Sequence, residues 1–455
     1  MQIFKLFFVL FIVSLIIYTY GTFLTIKIKN SNVLYKVSLS TIFGSIIISL
    51  LILLINFFYP YNKFLGNIFL FTSLILFFFI FYKEEKKIAV FTGIFLISVI
   101  SSILLLYENI NRPDAGLYHI PYVQIIHENK ILLGISNIHF RFGHISIIQY
   151  LSAAFNNSFM PIETISAPLS IIVGSFYVFF ATHFYKKNNF DEKDLFVFLI
   201  SIYSFYSFNR YSNFGNDATA HLFFFLFLIK IFELDFNNIN LEDLGILILI
   251  STFAFLQKSF MIFLLIICFI FYLKNHLKNL NFFKNFKIII SFILIIMWLL
   301  KNIMVTGCFL YPISSTCLNS LIYTDLDGIR KVATDSEGWA KDWPNRNNSF
   351  QIEDYNKNFN WVSTWFKNHF IKIMEKLLPF ISIMSVFLLI CFYHYKKGEK
   401  EDQKKLSVNI YLILSICIFL SIIWFLKFPL YRYGQSFVSG VFISCFFLIF
   451  IKFVQ

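Results

Sequence analysis

Acidic, basic and imidazole side chains are concentrated in residues 107–163, between long apolar stretches. The group comprises Arg112, Asp114, Tyr118, His119, His139, Arg141 and His144. A carboxylate can remove a proton from a hydroxyl group. Basic side chains can bind an anion or stabilise negative charge that develops during a reaction. The segment therefore predicts acid–base chemistry on an anionic substrate.

Each of these residues also has a purely structural interpretation. Asp114 follows Pro113 and can cap a helix start, because its side chain can accept from free backbone amides. The histidines can be interfacial residues with satisfied hydrogen bonds. No tight metal-ligand spacing such as HExxH occurs. We expect no fixed metal site and no other cofactor, and a divalent cation stays open as an alternative.

Short turns elsewhere supply further polar groups. Asn216 and Asp217 precede an apolar run, where capping is again an alternative role. Lys258 separates two apolar runs; it either extends toward water or holds an anionic group. Arg432 and Tyr433 lie in a last turn where the distribution of basic residues gives no reason for a cation.

The elements that position these residues are membrane helices. Of 455 residues, 58% are hydrophobic and 14% are charged, which is outside the soluble range. Windows of about 20 apolar residues predict about 13 spans. The windows are 3–26, 38–58, 64–82, 88–106, 164–184, 194–209, 218–233, 243–257, 260–273, 288–305, 376–394, 406–426 and 435–452. We predict an all-α, polytopic transmembrane bundle.

Lysine-rich loops on one side of these spans predict that this side is cytoplasmic. The same distribution explains the net charge of +13 without nucleic acid as a partner. The polar segments then face outward, and two amphipathic helices, from Asp114 and over 145–155, are expected to lie in the membrane interface. Cys308 and Cys317 fall outside as well, where an oxidising compartment permits a disulfide.

The predicted organisation has five parts in chain order. These are four transmembrane helices (1–106), an outer loop with the acidic site (107–163), a transmembrane core (164–305), a large outer loop (306–375) and C-terminal transmembrane helices (376–455). The large loop either covers a cavity and receives an acceptor or is a simple folded loop.

One or two outward carboxylates surrounded by cations suit transfer of a sugar from an isoprenoid phosphate. The carboxylate activates an acceptor hydroxyl, and lysine and arginine stabilise the departing phosphate. No glycine-rich phosphate-binding loop is present.

The order of motifs resembles the GT-C superfamily of glycosyltransferases, which includes protein O-mannosyltransferases and lipid A aminoarabinose transferases. The motifs are DAGLYH at 114–119, HFRFGH at 139–144, GNDA at 215–218, AFLQKS at 254–259, WLLKN at 298–302, TGCFLYP at 306–312 and RY at 432–433. Four spans precede the acidic loop where better-known relatives have one, and Ala115 and Cys308 replace an acidic residue and an asparagine.

The resemblance implies inverting transfer from an undecaprenyl-phosphate-linked sugar to a glycan, lipid or protein acceptor, in synthesis of bacterial surface polysaccharide. Asp114 would be the base, with Lys258, Arg432 and Lys301 at the donor phosphate. Substrate-binding roles fall to Arg112, Tyr118, His119, His139, Arg141, His144, Asp217 and Tyr433. The location would be the cytoplasmic membrane, with the site facing the periplasm.

Two other functions fit a chain with many spans. One is an O-antigen or capsule polymerase, which would use arginines more than an aspartate base. The other is a transporter or flippase for a lipid-linked glycan, for which charged groups along a path through the bundle are expected. The predicted spans contain almost no charged residues.

Overall fold

The fold is known from a computed structural model that describes most of the chain. The described residues are 2–26, 32–107, 113–160, 162–185, 191–207, 215, 217–236, 238–276, 281–346, 349–395 and 408–454. They are all-helical, with no β-strand among them, which confirms the prediction of an all-α fold. The chain divides into two compact units, which are described separately.

Unit 1 comprises Met1–Asn189, Ser207–Phe223 and Asn238–Asp325. Its helices are α1 (Gln2–Thr25), α2 (Val33–Phe58), α3 (Lys63–Tyr82), α4 (Lys87–Tyr107), α5 (Ile120–Glu128), α6 (Ile147–Ala153), α7 (Ala167–Phe184), the first part of α9 (Asp217–Phe232), α10 (Leu241–Gln257), α11 (Ile262–Asn275) and α12 (Phe286–Thr306).

Unit 2 comprises Phe190–Tyr206, Phe224–Asn237 and Leu326–Gln455. Its helices are α8 (Glu192–Tyr206), the second part of α9, α13 (Leu326–Ala340), α14 (Ile352–Tyr355), α15 (Val362–Trp365), α16 (Ile371–Tyr395), α17 (Val408–Lys427) and α18 (Tyr431–Val454).

Nine helical stretches of the described residues are long and apolar enough to cross a membrane. They are Ile3–Thr25, Val33–Phe58, Lys63–Tyr82, Lys87–Leu106, Thr164–Phe184, Phe286–Thr306, Val362–Ile390, Asn409–Lys427 and Tyr431–Lys452. Four further predicted spans are also helical but contain only 14 to 17 residues. At 1.5 Å per residue they reach about 21–26 Å, short of the ~30 Å hydrocarbon thickness.

Helices α1 and α2 pack closely because glycine removes the side chain where their backbones meet. A Cβ atom at Gly21 would lie 1.6 Å from the carbonyl oxygen of Ser40, and one at Gly44 would lie 1.8 Å from that of Ile17. Neither position can hold a larger residue without the helices moving apart. Helices α4 and α7 each pack against both members of this pair.

The segment between α4 and α7 is tied to the surrounding helices by backbone hydrogen bonds. Tyr61 donates its N–H to the carbonyl of Ile126 at 2.8 Å and its hydroxyl to that of Ala154 at 3.0 Å. Gly134, at a positive φ of 64°, donates its N–H to Met304 at 2.8 Å. The segment carrying the polar motifs is therefore a fixed part of unit 1.

Helix α6 is the second helix that the sequence predicts for the membrane interface, and in the structure it is enclosed by other helices of unit 1. All seven residues of α6 are buried. It packs against α2, α5, α7 and α10. The apolar pattern of 145–155 therefore reflects burial within the protein, because a short helix enclosed by neighbours needs no polar face.

Candidate functional site

The Asp114 side chain is not a helix cap, so the capping interpretation is wrong. Its backbone is already helical, with φ −58° and ψ −33°, and its carboxylate makes no capping hydrogen bond. A π-helical turn follows over Ala115–His119, closed by the N–H of Ile120 bonding to the carbonyl of Ala115. Such turns widen a helix and are frequent at functional sites. The carboxylate is thereby left to interact outside its own helix.

Arg141 is the partner of Asp114. Its Nη1 donates to Oδ1 of Asp114 at 2.8 Å, and the side chains of Arg141 and Asp114 are 31% and 27% exposed. The guanidinium lies 5.3 Å from the ring centroid of Tyr118 and 5.5 Å from that of Phe140. The backbone N–H of Arg141 donates to Nδ1 of His139 at 3.2 Å, which caps the short 3₁₀ helix Phe140–His144. This ion pair thus joins the motif at 114–119 to the motif at 139–144.

His119 is buried and held in one tautomer by a residue that the sequence analysis did not select. Gln149 accepts the backbone N–H of Ser146 at 3.0 Å through Oε1, so its amide nitrogen faces His119. That nitrogen lies 2.6 Å from Nδ1 of His119. Nδ1 therefore accepts, and the imidazole proton sits on Nε2. The Ser-x-x-Gln capping box at 146–149 was the signal that could have identified Gln149.

His144 is exposed at a small recess. Burial, and after it the positive charges of Arg141 and Lys301, lower the pKa of His144 to about 4. The ring packs edge-on against Tyr311, with centroids 5.0 Å apart. Near neutral pH His144 is therefore an uncharged imidazole, able both to donate and to accept a hydrogen bond.

Asp217 and Lys258 form a second ion pair, between the first turn of α9 and the break between α10 and α11. Lys258 Nζ lies 2.5 Å from Oδ1 of Asp217, and the lysine side chain is only 6% exposed. Next to them, Thr219 donates to Oε1 of Gln257, and both residues are buried. The chain breaks at Lys258 as the sequence predicts, because its backbone is extended.

Lys301 is a fully buried cation near the end of α12. Its Nζ lies 3.8 Å from the ring centroid of Trp298 and donates to Oδ1 of Asn302 at 3.1 Å. Asn302 in turn donates to the carbonyl of Phe309 at 3.0 Å. Among the described residues Lys301 forms no salt bridge. Its amine is therefore in contact with an aromatic face and an amide oxygen.

Residues from several of these segments line a recess of about 70 Å³. It is lined by Gly143, His144, Ile145, Phe255, Leu256, Gln257, Ser259, Trp298, Asn302, Leu310 and Tyr311. These residues come from four separate motifs of the sequence. The recess has room for a few water molecules.

The chain after α12 forms one wall of the recess. Cys308 and Cys317 are joined by a disulfide with an S–S distance of 2.04 Å. A Cβ atom at Gly143 would lie 2.5 Å from the ring of Tyr311, so only glycine allows this approach. The loop thereby places Leu310 and Tyr311 at the recess.

The remaining predicted residues lie elsewhere. Arg432 and Tyr433 belong to unit 2, where Arg432 Nη2 donates to the Tyr433 hydroxyl at 3.0 Å. Two tryptophans fix the turn that precedes Arg432. The indole N–H of Trp365 donates to the carbonyl of Pro429 at 2.8 Å, and that of Trp424 donates to the carbonyl of Leu430 at 2.7 Å. Arg112 and Asn216 lie outside the described residues.

No metal-binding cluster is found in the part of the chain that the structure describes. There, no group of three or more histidine, cysteine, aspartate or glutamate side chains is arranged to hold an ion. Asp114 and Asp217 each bind a basic side chain instead.

His127 makes the stability of this region depend on pH. Burial lowers its pKa from 6.5 to about 4, against smaller opposing effects of the Ala153 carbonyl and Glu128. Between these values the unfolded chain binds the proton more readily, so protonation favours unfolding. Its contribution is present above about pH 6.5 and is lost as pH falls toward 4. We expect His127→Gln to flatten the fall of the unfolding midpoint between pH 6.5 and 4, measured by thermal unfolding in detergent. An unchanged slope would contradict this assignment.

Comparisons with known proteins place the chain in a family without adding a function. No curated protein matches the chain. No solved structure matches it either. Residues 3–439 match the model of the family described as "Domain of unknown function (DUF8201)", and the chain therefore belongs to that family.

Proposed function

We propose that the chain is a membrane glycosyltransferase of the GT-C type. It moves a sugar from a polyprenyl-phosphate-linked donor to a glycan, lipid or protein acceptor during synthesis of surface glycoconjugates. The reaction takes place on the outer face of a bacterial cytoplasmic membrane, and the four shorter apolar helices complete a bundle of about 13 spans. The membrane lipids are the remaining partner.

The observation that supports the proposal is the convergence of four motifs on one recess. The same small volume is lined by residues from four distant parts of the chain: 143–145, 255–257 with Ser259, Trp298 with Asn302, and 310–311. Arg141, which pairs with Asp114, lies two residues before the first of them in the chain, and Lys258, which pairs with Asp217, lies between Gln257 and Ser259 of the second. A carboxylate with accessible surface beside several cations suits a donor whose leaving group is a phosphate.

In the proposed reaction, Asp114 removes the proton from an acceptor hydroxyl. The hydroxyl oxygen then attacks the anomeric carbon from the face opposite the phosphate. The bond between that carbon and the phosphate oxygen breaks, and the polyprenyl phosphate departs with an additional negative charge. Arg141, Lys258 and Lys301 offset this charge. The anomeric configuration is inverted because a single displacement occurs.

Neutral histidines position the substrates in this scheme. His119 is held in one tautomer with its proton on Nε2, and His144 is uncharged at the recess. Both can bond sugar hydroxyls or phosphate oxygens without adding charge. At about 70 Å³, the recess is smaller than ligand pockets of ~300–1,000 Å³. We therefore expect it to hold the linkage between phosphate and sugar, with the lipid chain outside it.

The test is sugar transfer by the purified chain in lipid nanodiscs. Short-chain polyprenyl-phosphate sugars are offered with a panel of glycan, lipid and protein acceptors, and product is detected by mass spectrometry. We expect product with at least one pair, and an inverted linkage by NMR. A retained linkage would contradict the single displacement. Absence of product with every pair, from folded protein, would contradict the glycosyltransferase proposal.

A further inference from the structure

The three cations next to the recess differ in how accessible their charges are. The Lys258 side chain is 6% exposed and already paired with Asp217, and Lys301 is fully buried. Arg141 keeps 31% of its side chain exposed. A phosphate group arriving from outside therefore meets Arg141 before either lysine.

Arg141 also has unused hydrogen-bonding capacity. A guanidinium carries five N–H donors, and its planar fork matches two oxygens of a phosphate. Within the described part of the chain one of these donors is used, Nη1, which bonds to Oδ1 of Asp114. The guanidinium carbon lies over the rings of Tyr118 and Phe140, and these ring contacts use none of its N–H groups in conventional hydrogen bonds. One edge can therefore serve a second anion while the first contact persists.

We propose that Arg141 is shared between the base Asp114 and the phosphate of the donor lipid, and that these two anions compete for its charge. The inference rests on the proposed function. During transfer, the acceptor proton neutralises Asp114 while a new negative charge appears on the phosphate. The negative charge thus moves from one partner of Arg141 to the other. A single guanidinium can stabilise both ends of the reaction without moving far.

Competition has a consequence that a simple phosphate-binding arginine would not produce. While Asp114 is ionised, its charge weakens the attraction between Arg141 and any incoming phosphate. Removing the Asp114 charge should tighten phosphate binding, although it removes the proposed base. The same substitution should do nothing when Arg141 is absent.

The experiment measures binding of farnesyl phosphate, a product-like lipid without sugar, to the full chain in nanodiscs. The variants are Asp114→Asn, Arg141→Gln and the double substitution, with farnesol and inorganic phosphate as separate ligands. We expect Asp114→Asn to tighten farnesyl phosphate binding by about 10-fold. Arg141→Gln should weaken it by about 10-fold or more, and the double variant should bind like Arg141→Gln. Farnesol should bind equally to all four proteins.

Each outcome bears on the proposal. Unchanged or weaker binding by Asp114→Asn would overturn the competition, and unchanged binding by Arg141→Gln would overturn the phosphate contact. Equal effects on inorganic phosphate would show that the headgroup alone is recognised, whereas effects confined to farnesyl phosphate assign a lipid ligand. Asp114→Ser repeats the test if Asp114→Asn fails to fold. Because binding is measured without turnover, a failure of sugar transfer alone leaves this pattern intact.

Discussion

Replacing Asp114 by asparagine is expected to lower the rate of sugar transfer by about 10²- to 10⁴-fold, the usual contribution of a general base. Asparagine keeps the size of the side chain and loses its ability to take up a proton. The loss should fall on kcat, because the donor is held by basic residues that the substitution leaves in place. With Arg141 released, KM for the donor should stay level or fall.

The measurement compares kcat and KM of the native chain and Asp114→Asn, in nanodiscs and with saturating acceptor. Glu128→Gln is the matched control, since it neutralises an exposed carboxylate in the same segment. In the described part of the chain, that carboxylate accepts a hydrogen bond from the side-chain amide of Gln124 at 2.6 Å. The control should retain native kcat. Equal rates for Asp114→Asn and the native chain would remove Asp114 from the mechanism, and a rise in KM alone would make it a binding residue.

The predicted spans show what the sequence could establish about the fold. Nine windows of apolar residues correspond to helices of membrane-spanning length, because hydropathy alone determines which segments leave water. The burial of α6 could not be predicted in this way. Its sequence is equally compatible with a helix that exposes one face and with a helix enclosed by protein, and only its packing against four other helices shows that it is enclosed.

The sequence identified the residues of the candidate site, but it did not predict which of them form pairs. Asp114, Arg141, Asp217 and Lys258 were each identified from type and position, yet each had a structural alternative. The contacts that decide between roles join residues 27 and 41 positions apart, as Arg141 to Asp114 and Lys258 to Asp217 do. Such distances are set by tertiary packing, which a local pattern does not encode. The π-helical turn at Asp114 is equally invisible, because no residue type requires it.

The ion pair between Asp217 and Lys258 gives the largest expected effect on stability. Asp217→Asn removes the charge that balances a lysine side chain only 6% exposed. Breaking a buried pair on one side typically costs about 3–5 kcal/mol, and the 23% exposure of the aspartate side chain places this pair toward the lower value. Lys258→Met should cost less, because the remaining carboxylate is partly hydrated. The double variant should regain most of the stability, since it leaves no unbalanced charge.

The same variants separate a structural lysine from one that binds phosphate. Stability is measured as the midpoint of unfolding in mixed micelles of increasing SDS content, and transfer is measured on each folded variant in nanodiscs. If Lys258 only balances Asp217, the double variant should recover both stability and transfer. If Lys258 also stabilises the departing phosphate, stability should return while kcat stays low. Equal stability of Asp217→Asn and the native chain would show that the pair contributes little, and the lysine would then be held by its other surroundings.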